Sequence, residues 1–483
     1  MVGTVAMFWL VVLAAAVHAV DTSWHRPSAT DINNLDKVLH GDGVFGFIFN
    51  SSETPRRQYG VYNYCNMPHV RRTEYKRAPH NYELVYVETI HRHHKRTPYQ
   101  SNTFPVENYP WNCDATRLFY HGATDSRFQP RAYTYWKFVD SPLNTLPTSG
   151  FDGTCAFPQL TAEGLQDSFQ HGRDLFGVYH DMLRFLPRHL DNDVVQFRVT
   201  NNVITSEVAS MIIAGMYGSQ REVPLHIQKE EVDSLEPTYS CPRGSDLFSN
   251  IKSTRNESPW KKHLDLTQKL FESLDDISGV SPDAEDWHNS FDHYFDSLSS
   301  RLCHHKPLPC NVDDPHKCVT QDQTNTVLRL GQWEYSYIYR DNPSSLEAST
   351  ATFGLWLAEL ASHLRDQITH PTGPSWKKGK RALYRHNVAH DGSVSRLLSI
   401  LQLDKMVWPG MGAEVVFELY RQRRKFSWKH EDKFFIRVLW GGQVMTSSNP
   451  DLGKMDMIPV ERFLGYIDSL VGPKGSKIPK LCG

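Results

Sequence analysis

The chain has 483 residues, 40% of them hydrophobic, which is enough to bury one large core or two joined ones. Its formal net charge is −2 and 22% of its residues are charged, so nothing draws it toward nucleic acid or an anionic membrane. The 24 histidines point to chemistry near neutral or acidic pH, although most histidines in any chain are ordinary surface or packed residues.

Residues 1–19 form an apolar run that ends in Val17-His18-Ala19. The run is short for a bilayer span, which needs ~20 residues. It predicts a secretory signal peptide cut after Ala19. No Lys or Arg precedes the apolar stretch, so an uncleaved anchor is the alternative. No later stretch has the length and apolarity of a membrane helix. The C-terminal Pro479-Lys480-Leu481-Cys482-Gly483 lacks the apolar tail of a lipid-anchor signal. The cysteines are Cys65, Cys113, Cys155, Cys241, Cys303, Cys310, Cys318 and Cys482, all beyond the signal. Their even count fits four disulfides in an oxidising compartment, with the pairing left open. Cys303, His304, His305, Cys310, His316 and Cys318 can also be read as a zinc site, a weaker reading in an exported chain. Sequons at Asn50 and Asn256 agree with export. The expected location is therefore extracellular, with no membrane contact once the signal is cut.

Residues 20–79 read as an irregular N-terminal wrap. Tyr82–Ile90 is β-rich and predicts a strand that runs into a histidine–arginine cluster and stops before Pro98. A helix begins near Leu160 with Thr161 as its N-cap, its apolar residues Phe169, Leu175, Phe176, Tyr179 and Met182 recurring at helical spacing. Val194–Thr200 predicts a strand and Ser206–Met216 a helix. Residues 225–345 turn polar and helix-like, and predict a mostly helical insertion capping the sheet. Thr352–Gln367 predicts an amphipathic helix, Arg381–Tyr384 a strand, and Ser393–Gln402 a helix. Gly412–Tyr420 and Phe434–Trp440 predict strands joined by a basic hairpin tip around Arg421, Arg423, Arg424 and Lys425. Residues 476–483 are a tail. The alternation predicts an α/β core, 80–224 with 346–475, built on a largely parallel sheet. Ligands in such folds bind beyond the carboxyl ends of the strands. The polar clusters 91–98 and 385–391 both follow predicted strands, so they are expected to meet in one cleft.

The run Arg92-His93-His94-Lys95-Arg96 suits a dianion. Guanidinium groups grip phosphate oxygens bidentately and keep their charge. An imidazole between them stays unprotonated and can attack phosphorus. The leaving alkoxide then needs a proton, which a carboxylic acid held neutral, such as Asp391, can give. Standing alone, the cluster would also suit a basic surface turn.

Arg92, His93, Arg96 and Pro98 match R-H-G-x-R-x-P, and His390-Asp391 matches the later H-D. On these motifs the chain resembles the histidine acid phosphatases, branch 2 of the histidine phosphatase superfamily. Leu160–Gly164, with Gly172 and Leu175, resembles the family's intervening helix. Ala413–Tyr420 and Phe435–Trp440 resemble its closing strands. The resemblance covers about residues 80–470, least in the helical insertion. It implies a phosphoglycerate-mutase-like mixed, largely parallel sheet flanked by helices. It also implies two-step hydrolysis of a small phosphomonoester, with no metal or organic cofactor. His93 would be the nucleophile and Asp391 the proton donor. Arg92, Arg96 and His390 would bind the phosphoryl oxygens.

Two positions depart from the pattern. The motif's glycine is His94, a position where backbone bends or approaches a ligand. The family's third phosphate-binding arginine falls at Ile204, which cannot bind phosphate. Loss of such a contact costs about 1.5–3 kcal/mol. A divergent, weakly active or inactive binding protein on the same fold is therefore a second reading. A third is a metal-dependent hydrolase that uses His91, His93, His94, His386, His390 and Asp391. Against it, arginines beside the histidines would repel a cation.

Overall fold

The computed structural model describes residues 20–45, 62–106, 110–117, 119–123, 131–137, 143, 153–218, 222–255, 257–370, 381–422 and 432–483. The expected signal peptide, both sequon asparagines and the basic tip at Arg423, Arg424 and Lys425 lie outside them.

A short helix α1 (Leu35–His40) precedes the long strand β1 (Tyr82–Arg92) and a small hairpin, β2 (Phe119–Ala123) and β3 (Arg131–Tyr135). Next come α2 (Ala162–Phe176), β4 (Val195–Val199), α3 (Val203–Tyr217) and β5 (Leu225–His226). Five helices follow: α4 (Pro242–Ile251), α5 (Pro259–Ser278), α6 (Glu285–His288), α7 (Asp292–Cys303) and α8 (Gln321–Ser336). The α/β pattern returns with α9 (Ser345–Thr369), β6 (Tyr384–Ala389), α10 (Asp391–Ile400), β7 (Glu414–Gln422) and β8 (Lys433–Trp440). It closes with β9 (Gln443–Val444), β10 (Ile458–Pro459), α11 (Val460–Val471) and α12 (Ile478–Cys482).

The main sheet runs β10-β8-β7-β1-β6-β4-β5, with β9 beside β8. β1, β6, β4 and β5 pair in parallel. β1, β7, β8 and β10 pair antiparallel. The sheet is thus the mixed α/β sheet flanked by helices that the motifs imply. Alternate residues of β7 feed opposite layers, as the two-residue strand period requires. Val415, Phe417 and Leu419 join the core under α9, α10 and α11, whereas Val416 joins the core under α2 and α3. A third cluster lies among α5, α7 and α8, and takes in Tyr64, Phe104, Trp408 and Met411.

Several boundaries moved. The strand expected at Arg381–Tyr384 begins only at Tyr384, which pairs with Val87 and Val195. Arg381 lies before the strand and donates to the Asp366 carboxylate and to the carbonyls of Asp366 and His370. Thr161 caps α2 as expected, its side chain accepting from the Gly164 N–H. Helices α2 and α8 each run on into a wide turn, Gly177–Met182 and Tyr337–Asp341, that apolar spacing does not reveal.

All eight cysteines are paired: Cys65–Cys303, Cys113–Cys155, Cys241–Cys482 and Cys310–Cys318. The zinc reading of the Cys303–Cys318 run therefore fails, because its three sulfurs are already bonded. Cys65–Cys303 ties the N-terminal segment to α7. Cys241–Cys482 ties the C-terminal helix to the start of α4. Among the described residues, no helix is long and apolar enough to cross a membrane.

Candidate active site

Parallel pairing of β1 with β6 is what assembles the site. Arg92 stands opposite Ala389, so both strands end at the same edge. The His93 N–H donates to the Ala389 carbonyl at 3.1 Å, and the Gly412 N–H donates to the His93 carbonyl at 3.0 Å. His93 thus sits between the ends of β6 and β7. Gly412 has φ +71°, and a Cβ there would lie 2.8 Å from the His94 ring. Gly164 on α2 is needed for a similar reason, since a Cβ would meet the Lys95 carbonyl at 2.0 Å.

The residues expected to work together are brought together. The His93 and His390 rings lie 5.3 Å apart. Arg92 Nη2 lies 3.1 Å from Asp391 Oδ2. Arg92 also donates to the Pro409 carbonyl and the Tyr64 hydroxyl. Arg96 is held by Asp296 at 3.0 Å and by the Thr97 carbonyl, with Tyr99 under its guanidinium. The Nε of each arginine is buried without a hydrogen-bond partner among the described residues. Such donors are costly to leave unmet, and a phosphoryl oxygen would satisfy them.

His93 is 1% exposed. Its Nδ1 contacts the His94 carbonyl at 2.9 Å. A carbonyl only accepts, so Nδ1 carries the proton and Nε2 keeps its lone pair. Burial, then Arg96, Arg92 and His390, hold the His93 pKa well below its usual value, so the ring stays neutral in acid. His390 caps α10 and is lowered to about 4, first by burial and then by Arg96 and Arg92. Its Nε2 lies 3.2 Å from the Thr200 hydroxyl and 3.2 Å from Glu236. Burial, then Asp233 and Asp391, raise Glu236 to about 7.

Asp391 differs from the neutral acid expected. Burial pushes its pKa up, but Arg92, the Trp408 indole N–H at 2.8 Å and Arg96 together hold it below its usual value. Offset of the guanidinium charges by a phosphate dianion would relax that restraint. Ile204 lies at the start of α3, 1% exposed and packed into the apolar cluster under α2 and α3.

The histidines proposed for a metal split into two groups. His93 faces His390. His91 contacts both His94 and His386, and His171, not among the ligands expected from the sequence, packs against His91 and His94. Nitrogens of His91, His94 and His171 lie within 4.8 Å of one another, the spacing of a possible ligand set. Hydrogen bonds already occupy them: His91 with Arg92 and His386, His94 with Ser168 and His171, His171 with Glu414. Tyr64, Trp408, Asp296, Glu236 and Thr200 were not foreseen, because they come from distant loops and helices with no local motif.

This site stands at the carboxyl ends of parallel strands in a mixed α/β sheet, with a neutral histidine between two buried arginines. Such a site suits an anionic phosphoryl group. Residues 83–440 match the histidine phosphatase superfamily (branch 2), and the chain belongs to that family. It is 25% identical over 403 residues to counting factor 60 of Dictyostelium discoideum, covering 81% of this chain and 86% of that protein. It is 24% identical over 433 residues to human 2-phosphoxylose phosphatase 1, covering 86% and 85%. It is also 24% identical to the bovine lysophosphatidic acid phosphatase type 6, covering 80% and 83%. Among solved structures, the Hafnia alvei phytase in its apo form superposes with TM-score 0.51 at 13% identity, covering 83% of this chain and 99% of that one. The likeness to that phytase concerns the fold alone.

Proposed function

We propose that the protein is a secreted acid phosphatase that hydrolyses phosphomonoesters through a phosphohistidine at His93. One observation carries this reading: His93 Nδ1–H donates to the His94 carbonyl, which leaves Nε2 unprotonated on a buried ring that the charges of Arg96 and Arg92 keep neutral. Family membership and relatives named as phosphatases support the reaction class. Four disulfides fit an oxidising compartment and support export.

Arg92, Arg96 and His390 hold the phosphoryl oxygens, with most of the charge supplied by the guanidinium groups. Nε2 of His93 forms a bond to phosphorus as the P–O ester bond breaks. Asp391, protonated once the bound dianion offsets Arg92, gives its proton to the leaving alkoxide. Its carboxylate then takes a proton from water, which attacks phosphorus and breaks the N–P bond. Phosphate leaves and His93 is restored. No step calls on a metal.

A second reading, a phosphate-binding protein without turnover, is favoured by the apolar Ile204 and by the depressed pKa of Asp391. The test is turnover of a phosphomonoester panel at pH 4–7 by wild type and His93→Ala. Activity in the first and none in the second supports the enzyme. A folded wild type that binds phosphate without turning over any ester overturns it.

A further inference from the structure

The residue that replaces the motif's glycine is wired into the core. His94 Nδ1 lies 3.0 Å from Ser168 Oγ, and that hydroxyl donates to the Gly164 carbonyl at 2.7 Å. With its only proton given away, the hydroxyl must accept from His94 Nδ1–H. His94 Nε2 therefore accepts from His171 Nδ1, 3.2 Å away. His171 Nε2 meets Glu414 Oε2 at 2.9 Å, while Glu414 Oε1 takes the Val70 N–H. Each bond fixes the direction of the next, from β7 through α2 to the turn after β1.

We infer that His94, His171 and Glu414 are positioning residues: the chain Glu414–His171–His94–Ser168 locks the catalytic turn so that the His94 carbonyl stays on His93 Nδ1. The inference rests on His93 being the nucleophile. A side chain in place of glycine would otherwise add freedom, and at acidic pH a charge, beside two arginines. The chain removes both.

The proton between Glu414 and His171 sits on the carboxyl. All groups in the chain are fully buried, where separated charges are expensive. Burial raises Glu414, while burial and neighbouring histidines hold His94 and His171 well below the usual range. The surroundings contribute from every side: His91 from β1, Lys95 from the turn after it, His69 from the N-terminal segment, Asp167 and Asp174 from α2, and His386 from β6. Lys95 is paired with Asp167 at 3.0 Å, and His69 with Asp174 at 2.9 Å, so little net charge reaches the chain.

The test combines histidine nitrogen NMR with kinetics on the full-length protein. At pH 5, His94 and His171 should each carry a proton on Nδ1 and none on Nε2. A proton on His94 Nε2, or a doubly protonated His171, overturns the chain whether or not the protein is a phosphatase. His171→Leu should lower kcat about ten- to a hundredfold with little change in KM, because misplacement of the nucleophile costs the chemical step. The same variant should blur the Nδ1–H signature of His93. His171→Asn keeps a donor toward His94, and Glu414→Gln keeps a donor toward His171, so each should keep most of kcat. A folded His171→Leu with wild-type kcat and an unaltered His93 signal contradicts the positioning role.

Discussion

The Nδ1 of His93 donates to the carbonyl oxygen of His94, the next residue, at 2.9 Å. This one bond sets the tautomer of the proposed nucleophile. It also links the shape of the turn to the chemistry of the ring. Four expectations for the site and its surroundings can be measured.

In the proposed mechanism Asp391 gives a proton to the departing oxygen, so its loss should depend on how much help that oxygen needs. Asp391→Asn is expected to slow an alkyl phosphate by roughly 10²–10⁴-fold. An aryl phosphate with an acidic phenol should suffer far less. Equal losses on both substrates would mean that Asp391 serves only to hold Arg92.

Glu236 sits 3.2 Å from His390, with its carboxyl raised to about 7. Below that pH it is protonated and uncharged. Above it the carboxylate repels a phosphate dianion at close range. Phosphate affinity should therefore fall as pH rises through 7, and Glu236→Gln should extend tight binding to higher pH. Titration of inorganic phosphate binding between pH 5 and 8.5 reads this directly. An unchanged profile in the variant rules Glu236 out.

Ile204→Arg restores a charge where the family pattern has one. One extra charge-assisted bond corresponds to about 1.5–3 kcal/mol, or roughly ten- to a hundredfold in KM. Ile204 is also part of the apolar core, so the variant should melt at a lower temperature. A lower Tm with no gain in KM would show that residue 204 faces only the core.

Three buried rings should each cost stability on acidification. Burial lowers His91 to about 3, and His304 and His390 to about 4. In the unfolded chain each takes up a proton near 6.5, whereas the folded chain does not until pH 3–4. Below 6.5 the unfolded state therefore binds more protons, and each group contributes up to about 1.4 kcal/mol of lost stability per pH unit. Glu207, Glu236 and Asp292, each raised to about 7 by burial, act in the opposite sense, because the folded chain binds their protons first. Histidine NMR titration separates the two: the three rings should be uncharged at pH 5 in the folded protein, and a charged ring there contradicts their neutral burial.

The candidate site residues were legible because they are local. Arg92, His93 and Arg96 lie within five positions, His390 and Asp391 are adjacent, and both groups follow β-rich runs. Pairing of β1 with β6 then brings the groups together. The partners that hold them were not legible. Asp296 anchors Arg96 across 200 residues, and Trp408 and Tyr64 reach the site from loops with no repeating pattern. The chain from Glu414 to Ser168 spans three separate elements, so no spacing along the sequence signals it. His94 departs from the motif, and only its partners in the fold give that departure a role. The late start of β6 is of the same kind: Arg381, just before it, binds Asp366 and His370 at the far end of α9, a contact that no local pattern signals.

The central claim is that His93 carries the phosphoryl group. Wild type mixed with a labelled phosphomonoester at acidic pH and quenched in alkali within milliseconds should yield base-stable, acid-labile label on the peptide containing His93. His93→Ala should carry none. Turnover without any trapped label, or label that persists in His93→Ala, would contradict the account.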